Sequence, residues 1–435
     1  MNGFQASAVE EKLVRAIGLP GLAANIINTT IGASIFVLPA LVSKNLGAAA
    51  PVAFVVCAIA MTMFATCFAL AGSRVSLTGG PYAYIEVAFG HYAGFLAGVI
   101  YFVMALLAIA AIMSVLVGAI VGIVPALAEN GLRISLMFGI YGLLAVLNVR
   151  GVRTGAHLVT ITTTAKLLPL LLFIAAGLFF IKAAAVAPEA WPNIKSLGDS
   201  VFLLMFAFFG IEIALVPSGE VRDPARTVPR AIYVALIIIT VVYVLIQLVA
   251  QGTLGARLAE NSSTPLAEAA ATFLGHFGRL LLLSAATISA FGSVTSNILS
   301  SPRILFALGR DGILPQMFAH VHPRFHSPDV AIFAFAALAL LLSVTSTFES
   351  LAIMANVAAL LLYALCCAAA WELMRRDVCL EAPPFYFAGA RIVPAISIAL
   401  IIWLLARATT REWFATAAVL VAASLLYALR RVTAR

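Results

Sequence analysis

An all-α, polytopic membrane protein is the fold class this sequence predicts, and three observations predict it. Of the 435 residues, 63% are hydrophobic and 10% are charged, whereas soluble globular chains carry roughly 25% charged residues. Mean hydropathy is +1.10. The apolar runs repeatedly reach or pass the roughly 20 residues that cross a bilayer, and they lack the alternating ten-residue pattern of a membrane barrel. Backbone groups in lipid must be satisfied within their own segment, so each run reads as a helix.

Twelve spans follow in order. The first covers 17–42 and the second 48–73. The third, 93–124, and the eighth, 277–308, are longer than a perpendicular crossing needs and must tilt or project. Between these two lie 133–149, 156–182, 198–218 and 229–254, and after them come 328–346, 350–373, 391–407 and 412–430. The longest connections, 183–197, 255–276, 309–327 and 374–390, hold no soluble domain. The chain therefore reads as one transmembrane domain over 1–435. It comprises a polar segment 1–16, spans over 17–182, spans over 198–373, and a closing pair over 391–430. No small-residue cleavage site follows the first apolar run, so the first span is expected to be retained.

An even number of spans puts both termini on one side. If that side is the cytoplasm, the inner segments hold 17 Lys and Arg and the outer segments 8, with Lys166 left inside a span. This is the positive-inside bias. The net charge of +8 is thus a topology signal and does not point to nucleic acid. The expected location is the cell's inner (plasma) membrane, with both termini cytoplasmic. Neither the five cysteines nor the six histidines show metal-ligand spacing, and no metal or cofactor is implied.

Span 1 places Thr29, Thr30, Gly32 and Ser34 at its centre. Glycine weakens a helix, and hydroxyls compete with the helical ladder for backbone groups. Alone, such a stretch reads equally well as a close helix–helix contact. Span 6 supplies a second interruption: "FLLMFAFFGIEIALVPSGE" carries Gly210, then Glu212 at mid-span, with Pro217 and Gly219 near its end. An ionisable side chain there costs at least about 2.5–3.5 kcal/mol and marks function. Lys166, in "TTTAKLLP", stands ten residues after the start of span 5, too deep to snorkel comfortably. Burial disfavours the charged form of such groups, so Lys166 and Glu212 are the candidates for proton exchange. Matching interruptions in spans 1 and 6 divide the chain into halves of five spans each, related by an inverted repeat. Broken helices expose N-termini that attract a carboxylate and carbonyls that accept an ammonium group. A small zwitterion suits such a pair.

Four stretches extend this reading: "IGASIFVLPA", "LTGGPYAYIEVAFG", "FFGIEIALVPSGEVRDPARTVPRAI" and "SNILSSPRILFALGRDGILPQMFAHVHPR". In this order they resemble the span 1 motif, the loop after span 2, the span 6–7 region and the end of span 8 in the amino acid–polyamine–organocation superfamily. The resemblance, to its amino acid permeases, runs from about residue 15 to 430. It implies a LeuT-like five-plus-five inverted repeat with discontinuous helices 1 and 6, two additional C-terminal helices, and transport by alternating access. Carried over by position, Thr30, Ile31, Gly32, Ala33, Ser34 and Ile35 would bind the substrate's α-carboxylate and amino group. Phe206, Ala207, Phe208, Phe209 and Gly210 would form the facing wall and aromatic gate, and Tyr101 and Asn297 align with gating positions. Lys166 stands where related carriers hold sodium, and would tie span 1 to span 8 without a sodium ion. Ser289 and Ser293 are candidates to face it, and Asn356 to make an interhelical hydrogen bond.

Three departures bear on substrate. Ser34 replaces the motif's second glycine, Phe206 replaces the gating tryptophan of arginine–agmatine exchangers, and Ile109 replaces their span 3 asparagine. These favour a small or apolar side chain. The expected function is a secondary active, sodium-independent amino acid transporter working by proton symport or substrate exchange. The alternative is a cationic amino acid or polyamine antiporter, with Glu212 facing a distal ammonium. No P-loop is present, and neither deep ionisable residue sits in a catalytic motif, so an enzyme is not expected. The expected partners are a small-molecule substrate and protons, with oligomeric state open.

Overall fold

The computed structural model describes residues 17–75, 81–150, 156–187, 191–212, 221–260, 263–310, 312–378 and 384–433. Residues 1–16, Gly79, Gly80, Arg153, Pro217, Gly219, Glu220, Asp311, Cys379 and Arg435 lie outside the described residues.

Proline and glycine punctuate the chain, and helices start and stop where they stand. α1 (Leu19–Thr30) carries Pro20 in its first turn, where a missing N–H removes no helical bond. It stops well short of the end of its apolar run. After Ile31–Ala33 and a 3-10 turn at Ser34–Phe36, α2 (Leu38–Leu46) resumes with Pro39 in its first turn and ends at Gly47, φ +54°. α3 (Ala50–Gly72), α4 (Pro81–Phe89), the 33-residue α5 (His91–Ile123), α6 (Asn130–Val149) and α7 (Ala156–Gly177) follow. α8 (Ala183–Val186) is a single turn. α9 (Ile194–Leu204) is capped by Asn193, whose Oδ1 accepts from the Ser196 amide at 2.7 Å, and tightens into a 3-10 turn at Met205–Phe208. The chain continues with α10 (Pro224–Leu254), α11 (Pro265–Ser300), α12 (Pro302–Arg310) and α13 (Asp329–Thr345). It closes with α14 (Phe348–Arg375), α15 (Val393–Leu405) and α16 (Thr410–Thr433).

The connection before the eighth span departs from expectation, while the span itself resumes just past Gly275, close to its expected start. The sequence places a connection over 255–276 and the span over 277–308, yet α11 already begins at Pro265. It kinks at Gly275 (φ +61°, ψ −149°) and gives way to α12 beyond Ser300. Glycine alone adopts that left-handed conformation without steric cost, and hydropathy does not register a break flanked by Leu274 and Phe277.

By length and composition, seven helical segments among the described residues can cross a membrane: Leu38–Gly72, His91–Ile123, Asn130–Val149, Ala225–Glu260, Pro265–Arg310, Phe348–Arg375 and Thr410–Leu429. Thr164–Phe180, Asp329–Thr345 and Val393–Leu405 are shorter and apolar. Because lipid is as apolar as leucine, close packing and hydrogen bonds decide which helices sit centrally. α5 packs against α11 and α14, α10 against α1 and α3, and α7 against α11. Two-thirds of the apolar window of α14 (67%) is buried inside the protein, against 6% for α16, so α16 is peripheral. Phe414, Val421, Leu425 and Leu429 of α16 are exposed, a face suited to acyl chains.

Candidate functional site

At the end of α1 the chain makes a turn in place of a helix. Ile31 has φ −72° and ψ 82°, and the Gly32 amide donates to Thr30 O at 2.7 Å, the geometry of an inverse γ-turn. In a continuous helix that amide would reach Asn28 O. Here the Asn28 carbonyl accepts a short hydrogen bond from the Lys166 ammonium of α7 instead. The amides of Ala33, Ser34 and Ile35 donate to no acceptor among the described residues. Three N–H groups therefore stand open at the start of the resumed helix, where the positive end of its dipole lies.

The second break faces the first. After the 3-10 turn at Met205–Phe208, Phe209 is extended (φ −60°, ψ 143°) and Gly210 has φ +110°. A Cβ at position 210 would stand 3.0 Å from both the carbonyl carbon and oxygen of Thr29 and 3.2 Å from the Thr30 nitrogen. The two interrupted segments thus meet backbone to backbone, and only glycine permits it. Thr29 Oγ1, bonded mainly to Asn25 O at 2.8 Å, also lies 3.4 Å from Gly210 O.

Side chains from distant helices take up the loosened backbone. Tyr243 of α10 is fully buried, and its hydroxyl lies 2.9 Å from Thr30 O and 2.9 Å from Ala207 O, one carbonyl from each break. A hydroxyl has one proton, so it serves these carbonyls in turn or shares between them. Asn356 of α14 donates to Phe202 O at 2.7 Å and Leu203 O at 3.3 Å, where α9 tightens. Glu212 is 1% exposed. Its carboxylate accepts from the Gly210 amide at 3.2 Å on each oxygen, and Tyr363 of α14 donates to Oε2 at 2.9 Å.

Between the breaks lies a cavity of about 230 Å³. Thr30, Gly32, Ala33 and Ser34 line one wall and Phe206, Phe209, Gly210 and Glu212 another. Lys166, Tyr101 and Asn297 complete the set that the structure brings together, with Ser289, Gly292 and Ser293 of α11 beside them. Ile31, Ile35, Ala207 and Phe208 are buried in the core and do not line it. The turn at Ile31 directs alternate side chains away from the cavity. The Ala207 carbonyl faces Tyr243, and the Phe208 ring meets the Tyr243 ring edge-on at 5.4 Å. Lys166 is bonded to α1, and among the described residues it forms no bond to α11, so the expected tie from span 1 to span 8 is made at one end only. Among the described residues Ser289 Oγ is buried without a partner.

Tyr243 and Tyr363 escaped the reading of the sequence, where a tyrosine in an apolar run looks like bulk. The available signal was chemical: a phenol in lipid needs a hydrogen-bond acceptor, and freed carbonyls or a buried carboxylate supply one.

Comparison with known proteins agrees with this architecture. A family profile described as Amino acid permease matches residues 17–426. Among its relatives is a serine/threonine exchanger of Bacillus subtilis, 29% identical over 350 residues, or 78% of each chain. Others from the same organism are a methylthioribose transporter, 28% identical over 345 residues (75% of this chain, 74% of that one), and a branched-chain amino acid permease. The latter is 25% identical over 425 residues, covering 92% of this chain and 89% of its own. With nearly the whole length matched, the chain belongs to the amino acid permease family of the amino acid–polyamine–organocation superfamily, whose members are transporters and not enzymes.

Proposed function

We propose that this protein is a secondary active carrier that moves amino acids across the cell's inner membrane by alternating access, without sodium. The observation that carries the reading is the juxtaposition of two interrupted segments across one cavity, with Gly210 seated on the Thr29–Thr30 peptide and three open amides at 33–35. Those amides suit the α-carboxylate of a substrate. Glu212, lining the same cavity, supplies negative charge toward the α-ammonium. In this reading the chain crosses the membrane twelve times with both termini cytoplasmic, as the charge bias implies. Its first ten spans form two inverted halves over 17–182 and 198–373, and 391–430 is appended.

The side chain of the substrate would face Phe206, Phe209 and the serines of α11. A volume of about 230 Å³ suits a small or apolar amino acid. A cationic substrate would need a second carboxylate for its distal group. Among the described lining residues Glu212 is the only acid, and it already accepts from Gly210 and Tyr363. Relatives named for serine, threonine and branched-chain amino acids support an uncharged side chain.

Saturable uptake of L-serine or L-leucine by purified protein in liposomes, with counterflow after preloading, is the decisive measurement. A channel would show neither. Lys166 occupies space that a coupling cation would otherwise need, so exchanging external NaCl for choline chloride is expected to leave the initial rate unchanged, and a strict sodium requirement would overturn that role. Glu212→Gln keeps an oxygen for the Gly210 amide but cannot ionise. It is expected to flatten the dependence of uptake on external pH while the protein still folds. An unaltered pH profile would remove Glu212 from coupling.

A further inference from the structure

A second cavity among the described residues is larger than the one between the breaks. A vestibule of about 830 Å³ lies farther along the same helices, on the side that the charge bias assigns to the outside. Ser34 lines the central cavity and Val37 the vestibule, and on α5 the pair is Ile112 and Ser114. Between them stand two rings. Phe206 lines the central cavity, Phe348 lines the vestibule, and their centroids are 5.7 Å apart at 88°.

Four charged side chains from four separate elements line the vestibule: Lys44 at the end of α2, Arg133 on α6, Glu260 before α11, and Glu349 in the first turn of α14. None forms an ion pair among the described residues, and none is bonded to another. The positions are consistent with design of a common surface: Val37, Leu41 and Lys44 share one face of the segment through α2, and Asn130, Arg133, Ile134 and Met137 share one face of α6. Two cations and two carboxylates around one open space match the two ends of a zwitterion.

We propose that this vestibule is a second, shallower amino acid site, where Lys44 and Arg133 hold the α-carboxylate and Glu260 and Glu349 the α-ammonium before the substrate passes Phe206 and Phe348. The proposal rests on the carrier reading above and adds a site to it. Charges this accessible to water interact weakly, so the site raises the local substrate concentration at the gate without trapping it.

The test is the initial rate of radiolabelled L-leucine and, separately, L-serine uptake into proteoliposomes as a function of concentration. Arg133→Gln and Glu349→Gln are each expected to raise KM by about two- to fivefold, with Vmax and melting temperature unchanged. Should either variant fail to fold, Lys44→Gln and Glu260→Gln provide the same readout on the same two ends of the substrate. An unchanged KM in every folded variant, with saturable wild-type uptake, overturns the vestibule site and leaves the carrier reading standing. A lowered Vmax at constant KM overturns it as well, assigning the charges to gate movement. No uptake of either amino acid by the wild-type protein overturns the carrier reading, and the vestibule site with it.

Discussion

Gly210→Ala is expected to lower transport at least about tenfold and to destabilise the protein by about 2 kcal/mol. Two costs add. A φ of +110° lies where residues with a Cβ are strained by on the order of 1–3 kcal/mol. The new methyl would also stand 3.0 Å from the Thr29 carbonyl carbon and oxygen. Those atoms are backbone of the opposite break and cannot rotate aside, so the two segments must part. Parting them displaces the peptide immediately before the turn at Ile31, and with it the open amides at 33–35. Gly32→Ala is the control, because its Cβ would meet only Thr30 O, at 3.8 Å. Thermal melting should therefore separate the two variants clearly. Wild-type melting and uptake in Gly210→Ala would show that the close approach is dispensable.

Lys166→Met is expected to reduce uptake more than about tenfold while the protein still inserts and folds. Methionine keeps the length and apolar stem of lysine but removes every donor. The Asn28 carbonyl, already deprived of the Gly32 amide by the turn, then also loses its ammonium donor, and a hydrogen bond to a charged group contributes about 1.5–3 kcal/mol. The end of α1 is expected to regain helical hydrogen bonding or to wander, and either change moves the cavity wall. Lys166→Arg separates charge from geometry. A planar guanidinium does not reproduce a single ammonium donor, so arginine is expected not to restore the rate. Full recovery by arginine would assign the role to charge alone. Initial-rate uptake in liposomes, normalised to folded protein, decides both points.

Much of the candidate site was legible in the sequence, and for one reason. Lipid makes helix-breaking glycines and ionisable side chains expensive, so Gly32, Gly210, Lys166 and Glu212 stood out from their apolar neighbours. All four line one cavity. The residues that complete the site were not legible. Tyr243 and Tyr363 look like apolar bulk in α10 and α14. Their roles depend on a carbonyl at Thr30 and a carboxylate at Glu212, each more than a hundred residues away. Nor did the motif distinguish cavity-facing from core-facing positions within 30–35. The sequence marked an interruption there but not its geometry, which the turn at Ile31 sets.

Hydropathy and charge distribution were enough to establish a membrane-embedded helical chain, the approximate limits of its helices and the places where they weaken, because these are one-dimensional costs of placing each residue in lipid. Which weak points meet, which carbonyls are freed and what caps them depended on the packing of α1, α9, α10 and α14 in three dimensions. The kink at Gly275 and the charged vestibule belong to that second group. A lone lysine or glutamate near a helix end says only which side it prefers. Four of them become a site only when separate helices bring both signs around one space.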